Sequence, residues 1–225
     1  MAAKPRTSVQ FLIQAVPERL EYVREQLLPF LPGFTRTVVD PGPPPANPWR
    51  GYQLCLEHAR VINATHFCIL QDDVRLCQNF VAATYEIAKA NPAVPVVLFL
   101  GGLPGRTAGK ARQAAKRGRH YVALQPMDFC PVVAMLWPRD KAIEFLHWGR
   151  EHPQPNARSD DAVAGHWVDR TKQTVLCAIP SLVQHPDETS VVHAKRAKAG
   201  DDKGRVALMF CEDDPLLIDW SQSIS

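Results

Sequence analysis

Two adjacent carboxylates, Asp72 and Asp73, follow the apolar run 67–70, with Gln71 between run and acids. Hydrophobic residues resume at Val74 and Leu76, and a helical pattern starts near Asn79. A strand that delivers two carboxylates to its C-terminal edge suits a hard divalent cation. Mg²⁺ and Mn²⁺ take oxygen ligands, commonly one or two carboxylates completed by substrate phosphates. A surface turn with two solvated acids would have the same spelling, so the pair acquires meaning only from its surroundings. A second acidic pair, Asp160 and Asp161, follows Ser159 at the start of a helical pattern. When two carboxylates are neighbours, one pKa is raised, which fits general-base work. Ser159 or Asp160 also suits a helix N-cap. Asp160 capping and Asp161 facing a reactant would satisfy both roles, which makes Asp161 the favoured base.

These residues need a scaffold, and strand and helix signals alternate along the chain. Strands are expected over 8–15, 34–39, 67–70, 94–100, 121–124, 130–137 and 175–179. Helices are expected over 17–28, 49–61, 79–90, 139–151 and 160–170, with Pro17 opening the first. The segment 41–45 is a stiff Pro/Gly loop. The stretch 103–120 reads as a loop, partly helical through 108–115. Continuous apolar strands between helices indicate a mostly parallel α/β sheet covered on both faces. Ligands in such sheets sit at the carboxyl ends of the strands, where Gln71, Asp72 and Asp73 fall. Gly101-Gly102 ends the fourth apolar strand but lacks the spacing of a dinucleotide fingerprint or a P-loop, so dehydrogenase and ATPase classes fall away.

The chain of 225 residues is long enough for one domain with a tail; we place the domain at 1–193 and a polar tail at 194–225. Apolar patches at 206–210 and 216–220 would let the tail dock back. No apolar run approaches the ~20 residues that span a bilayer. Six cysteines form no C-x-x-C pair, and two stand in strand-like runs. Buried free thiols in a reducing, cytoplasmic setting are therefore expected.

The net charge of +3 is unevenly distributed. No Asp or Glu occurs between Glu86 and Asp128, and Arg106, Lys110, Arg112, Lys116, Arg117 and Arg119 lie in that gap. A second basic run holds Lys195, Arg196, Lys198, Lys203 and Arg205, and the C-terminus is acidic. The asymmetry points to a polyanionic partner.

A β-α-β-α-β half ending in Gln71-Asp72-Asp73 resembles the GT-A class of nucleotide-sugar glycosyltransferases, whose DxD-type motif closes a strand of the nucleotide-binding unit. Gln71 departs from strict DxD by replacing the first acid. Asp160 and Asp161, after Ser159, resemble the acidic motif near the acceptor site of inverting members. The segment 180–185, with residues 188–190 beyond it, resembles a C-terminal motif of certain N-acetylglucosaminyltransferases and lipopolysaccharide-type enzymes. The resemblance covers roughly residues 8 to 193. It implies that Asp73 binds Mn²⁺ or Mg²⁺, that Asp72 or Gln71 meets the ribose, and that His185 completes the metal site. Histidine is a borderline ligand, better suited to Mn²⁺ than to Mg²⁺.

A UDP-sugar donor would lie over the first strand's edge, at Val16, Pro17 and Arg19. Asp40 could accept the uracil N–H, and Trp49, Arg50 and Gly51 open a helix whose N-terminus favours anions. The basic stretch 106–119 resembles bacteriophage enzymes that attach sugars to hydroxymethylated DNA, such as 5-hydroxymethylcytosine, and such a phage-encoded enzyme would work in the host cytoplasm. The target base would need flipping, with Tyr121, Trp148 or Trp167 to stack on it. Three alternatives remain at this stage: a protein or glycan acceptor, a metal-dependent nuclease or phosphoesterase using the same acids and His185, and a non-catalytic DNA-binding module.

Overall fold

In the computed structural model, residues 6–42, 47–101, 105–125, 128, 131–152, 159–185 and 206–222 are described. The elements run β1 (Val9–Ala15), a helical segment containing α1 (Leu20–Tyr22), β2 (Arg36–Val39), α2 (Pro48–Val61), β3 (His66–Gln71), β4 (Arg75–Leu76), α3 (Phe80–Ala90) and β5 (Val96–Val97). They continue with α4 (Arg106–Lys116), β6 (Tyr121–Ala123), β7 (Ala134–Pro138), α5 (Arg139–Glu151), α6 (Asp160–Thr171), β8 (Leu176–Ala178) and β9 (Val183–Gln184).

Seven strands form one sheet in the order β2-β1-β3-β7-β5-β8-β6, and β4 pairs with β9 in a separate ribbon. Pairings β1–β2, β1–β3 and β5–β8 are parallel, while β7 runs against both its neighbours and β6 runs against β8. Five strands therefore share one direction. This is the mixed α/β sheet flanked by helices that the alternating pattern implied.

The apolar strands are continuous because both faces are covered. β1 sends Phe11 and Ile13 to one face and Leu12 to the other; β3 splits Cys68 and Leu70 from Phe67 and Ile69; β7 splits Ala134 and Leu136 from Met135 and Trp137. Val23, Leu27, Phe80 and Ile87 cover the first face. The second face meets α2, α5 and α6 through Trp49, Tyr52, Phe145 and Trp167. Each large apolar side chain so buried contributes about 1.5–3 kcal/mol. Trp137 stacks on Phe145 with centroids 5.0 Å apart and donates its indole N–H to the Tyr52 hydroxyl at 2.7 Å. Its polar atom is thus satisfied inside the core.

Close approach of α5 to α2 needs Gly149. A Cβ there would sit 2.4 Å from Cζ2 of the buried Trp49 ring, which is itself held against Phe145. Gly149→Ala would gain about 1 kcal/mol of helix propensity. Overpacking costs more, typically 1–3 kcal/mol. The variant should therefore melt below the wild type, by a few degrees in a thermal scan.

Several expectations are corrected by the structure. The stretch expected as a loop with helix through 108–115 contains a longer helix, α4. Ala108 and Ala111 are buried and Ala114 and Ala115 half-buried against β6, while the cations face out. Ala, Arg and Lys are strong helix formers, and that outweighs the flanking glycines. The helix starts without a cap of its own; Asp128 supplies one, accepting from the Thr107 N–H at 2.5 Å and its hydroxyl at 2.6 Å. The first expected helix is a composite, with 3₁₀ turns at Pro17–Arg19 and Leu28–Phe30 around a π turn at Val23–Leu27. Pro29 has no N–H to continue an α-helical ladder. The expected strand 94–100 is regular only at β5, although Leu98, Phe99 and Leu100 are buried beyond it.

Residues 206–222 lie against the domain. Leu208 N–H donates to Leu100 O at 2.7 Å, Ser181 N–H to Met209 O at 2.8 Å, and Trp220 is 3% exposed beside Tyr121. The basic run 195–205 and Cys130 lie outside the described residues. Cys55, Cys68, Cys77, Cys177 and Cys211 are free and buried.

Candidate functional site

Strand alternation decides what each residue after Leu70 can reach. Gln71 belongs to the same face as Phe67 and Ile69, whereas Asp72 turns the other way. Asp72 Oδ2 accepts the Val16 N–H at 2.7 Å, which ties the end of β3 to the end of β1. Burial pushes the Asp72 carboxyl up to about 6; the Val16 N–H opposes this, the Asp73 charge adds to it, and the Arg19 charge opposes it.

Asp73 meets His185 because of the β4–β9 ribbon. Arg75 stands opposite Gln184 and Leu76 opposite Val183, so the residues just beyond the ribbon's end are brought together. His185 Nε2 lies 3.1 Å from Asp73 Oδ2, and both side chains are largely buried. Two adjacent ligands of an octahedral cation with bonds of about 2.1 Å stand about 3 Å apart. One carboxylate oxygen and one imidazole nitrogen at this spacing fit Mn²⁺, with phosphate oxygens left to complete the sphere. Among the described residues no group of three or more His, Cys, Asp or Glu converges as a metal cluster.

Across the sheet edge, Gln71 Nε2 donates to Asp160 Oδ2 at 3.1 Å. Asp160 Oδ1 accepts the Asp161 N–H at 3.0 Å, and Asp161 Oδ1 accepts the Val132 N–H at 2.9 Å. Ser159, not Asp160, caps the helix, through the Ala162 N–H. Burial raises both carboxyls above the ordinary range, and the charge of Asp160 adds to the rise at Asp161. The N-terminus of α6 thus carries a buried pair of acids, as the spacing implied, but with the cap assigned to its neighbour.

The residues expected to hold a nucleotide are only partly brought together. Val16, exposed Pro17 and half-buried Arg19 stand at the end of β1 beside Asp72. Asp40 and Arg50 instead hold each other, by Nε at 2.5 Å and Nη2 at 2.7 Å. Gly42 N–H and Asn47 N–H also donate to Asp40, so its four lone-pair positions meet four donors. The uracil contact expected of Asp40 has no acceptor left in this arrangement. Asn47 caps α2 by accepting from the Arg50 N–H, which occupies the anion position expected there. Gly42 lies beneath the Arg50 guanidinium, whose Cζ would lie 1.9 Å from an added Cβ, so a side chain there would displace the guanidinium.

Sequence reasoning missed Gln14. It stands opposite Gln71 in the β1–β3 register, donates to Pro48 O at 2.8 Å and helps to hold the Asp160 carboxyl down. Its Oε1 is buried with no hydrogen-bond partner among the described residues. A lone amide at the end of an apolar strand was the available signal. The Val132 N–H had none.

Arg106, Lys110, Arg112, Lys116, Arg117 and Arg119 are all exposed on or just after α4. Elsewhere surface lysines are balanced at i,i+3, as in Lys89–Glu86, Lys141–Glu144 and Lys172–Asp169. α4 contains no acid. Trp167 and Tyr121 are core residues, and Trp148 stacks on His152 at 4.8 Å, so none of the three is set out to receive a base.

No protein-family model matches this chain, and no curated protein matches it. One solved structure, described as a glycosyltransferase involved in the glycosylation of the major capsid of PBCV-1, aligns with it over 93% of this chain and 97% of that one. The two are 12% identical, with a TM-score of 0.41. At that score the likeness carries no argument about activity.

Proposed function

We propose that this chain is a metal-dependent glycosyltransferase of the GT-A type, moving a sugar from a UDP-sugar to an acceptor hydroxyl with inversion. The observation that carries this reading is the pairing of two unlike acidic sites at one sheet edge. Asp73 faces a histidine at ligand spacing, while Asp160 and Asp161 form a buried pair with raised affinity for a proton. Glycosyl transfer needs both: charge grows on a departing diphosphate as a proton leaves the acceptor.

Asp73 and His185 would hold Mn²⁺, which when bound supplies Lewis-acid stabilisation of the diphosphate. Asp72 keeps Oδ1 for the ribose while Oδ2 holds the Val16 N–H. Arg19 lends positive charge to the donor side. Asp161 accepts the proton from the acceptor hydroxyl, whose oxygen then forms the new bond to the anomeric carbon. The sugar–diphosphate bond breaks, and its electron pair leaves with UDP.

For the acceptor we propose DNA carrying a hydroxylated base, such as 5-hydroxymethylcytosine, held along its backbone by α4. The six cations of residues 106–119 are what supports it. A glycan or protein acceptor is the alternative and would not need them. Five buried free thiols suit the reducing cytoplasm, where we place the enzyme.

UDP should raise the melting temperature only with Mn²⁺ present, and UDP-sugar should be turned over to UDP. No shift with any nucleotide would end the transferase reading, and Mn²⁺-dependent DNA cleavage without UDP release would replace it with a nuclease. Retention on DNA should weaken steeply with salt, and Arg112→Ala with Lys116→Ala should flatten that slope by about two. An unchanged slope would move the acceptor away from α4.

A further inference from the structure

Gln71 is where the chain departs from a fully acidic motif, and the fold gives a reason. An acid at 71 would place a third carboxylate against Asp160, because Gln71 faces the α6 side of the sheet and not the Asp72 side. Among the described residues Asp160 accepts from two donors, the Asp161 N–H and the Gln71 amide, and the nearby Gln14 side chain also favours its charged form. Asp161 has one among the described residues, the Val132 N–H. Hydrogen bonds to a carboxylate favour its charged form, so unequal donor counts separate the two acids.

We propose that Gln71 is a positioning residue for this pair: its amide holds Asp160 as the fixed, ionised carboxylate and leaves Asp161 as the member that takes up a proton. The proposal rests on the transferase reading only for the source of that proton, the acceptor hydroxyl. Among the described residues, the groups facing the pair are Gln14 from β1, the Cys55 thiol from α2, Gln71 from β3 and the Val132 amide ahead of β7. Among them only Cys55 titrates, and burial pushes it far above neutral pH. The pair's behaviour between pH 4 and 8 therefore belongs to its own carboxyls and their donors.

The test needs no substrate. Both carboxyls have folded pKa values raised above the unfolded value of about 4. Their contribution to stability is full below about pH 4 and is lost as pH rises through the folded values. Gln71→Met keeps the volume and removes the donor, so the decline in melting temperature should extend about one pH unit further toward alkaline pH. A profile superimposable on the wild type would overturn the proposal. Should the variant not fold, carbon NMR titration of the wild-type aspartates reads the same assignment: Asp160 should lose its proton before Asp161, and the reverse order would overturn it. A wild type that releases no UDP would sink the transferase reading and leave both measurements intact. In an active enzyme, the acid limb of the kcat–pH profile of Gln71→Met should move by the same pH shift, with donor KM nearly unchanged; an unmoved limb would count against the proposal.

Discussion

Asp161→Asn should lower sugar transfer by about 10²- to 10⁴-fold, the usual worth of a positioned base, while UDP and Mn²⁺ still raise the melting temperature. The same change should stabilise the protein at neutral pH. Asp161 is buried against another acid, and burial together with the Asp160 charge disfavours its ionised form. A folded pKa above the unfolded value means the aspartate costs stability once pH exceeds about 4. Asparagine removes that cost and keeps the amide oxygen that accepts the Val132 N–H. The gain should vanish near pH 4, where the aspartate is protonated in both states. Asp160→Asn should differ, because turning its Oδ2 into an amide would set two NH₂ groups against each other at Gln71. Thermal scans of both variants across pH, beside a UDP-release assay, check this. A full-activity Asp161→Asn would remove the base from this site altogether.

The second large effect is expected at Asp73. Its replacement by alanine should abolish the Mn²⁺-dependent stabilisation by UDP, worth about 2.7 kcal/mol in the wild type at a hundredfold excess over Kd. Asp73 approaches His185 at 3.1 Å, and no other described residue presents a second carboxylate to that nitrogen. The metal-free fold should survive, since Asp73 lies beyond β3 and is not part of its apolar run. Its loss also removes a negative neighbour of Asp72, whose carboxyl should then titrate below its present value of about 6. His185→Ala should weaken the metal response less than Asp73→Ala, because phosphate and carboxylate oxygens dominate binding of a hard cation. An undiminished response to UDP with Mn²⁺ in Asp73→Ala would place the metal elsewhere.

The readable part of this protein was the part governed by local pattern. The run 67–70 announced β3, and the placement of Asp72 and Asp73 at its carboxyl end followed. Asp160 and Asp161 at a helix start were equally plain, because capping chemistry is local. What stayed hidden depended on pairing between distant segments. Nothing near His185 states that Val183 will stand opposite Leu76, yet that register is what brings the imidazole to Asp73. The pairing of Asp40 with Arg50 was hidden for the same reason: the two stand on either side of a proline-rich loop, and the ion pair is decided by the return of the chain. Of the helix at 106–116 the part 108–115 was legible, and its first turn was obscured by the glycine before it. Its cap comes from Asp128, beyond the reach of a local rule.

The seating of Trp220 bears on truncation as well as on architecture. Its ring is 3% exposed, its indole N–H is bonded to Pro215 O, and its own carbonyl receives the Tyr121 hydroxyl of β6. A truncation just before Trp220 would leave every residue of the acidic edge in place. It would still act as a large-to-small change in the hydrophobic interior, uncovering Tyr121 and the face of β6. Removal of Trp220 and the residues after it should therefore behave as a folding defect.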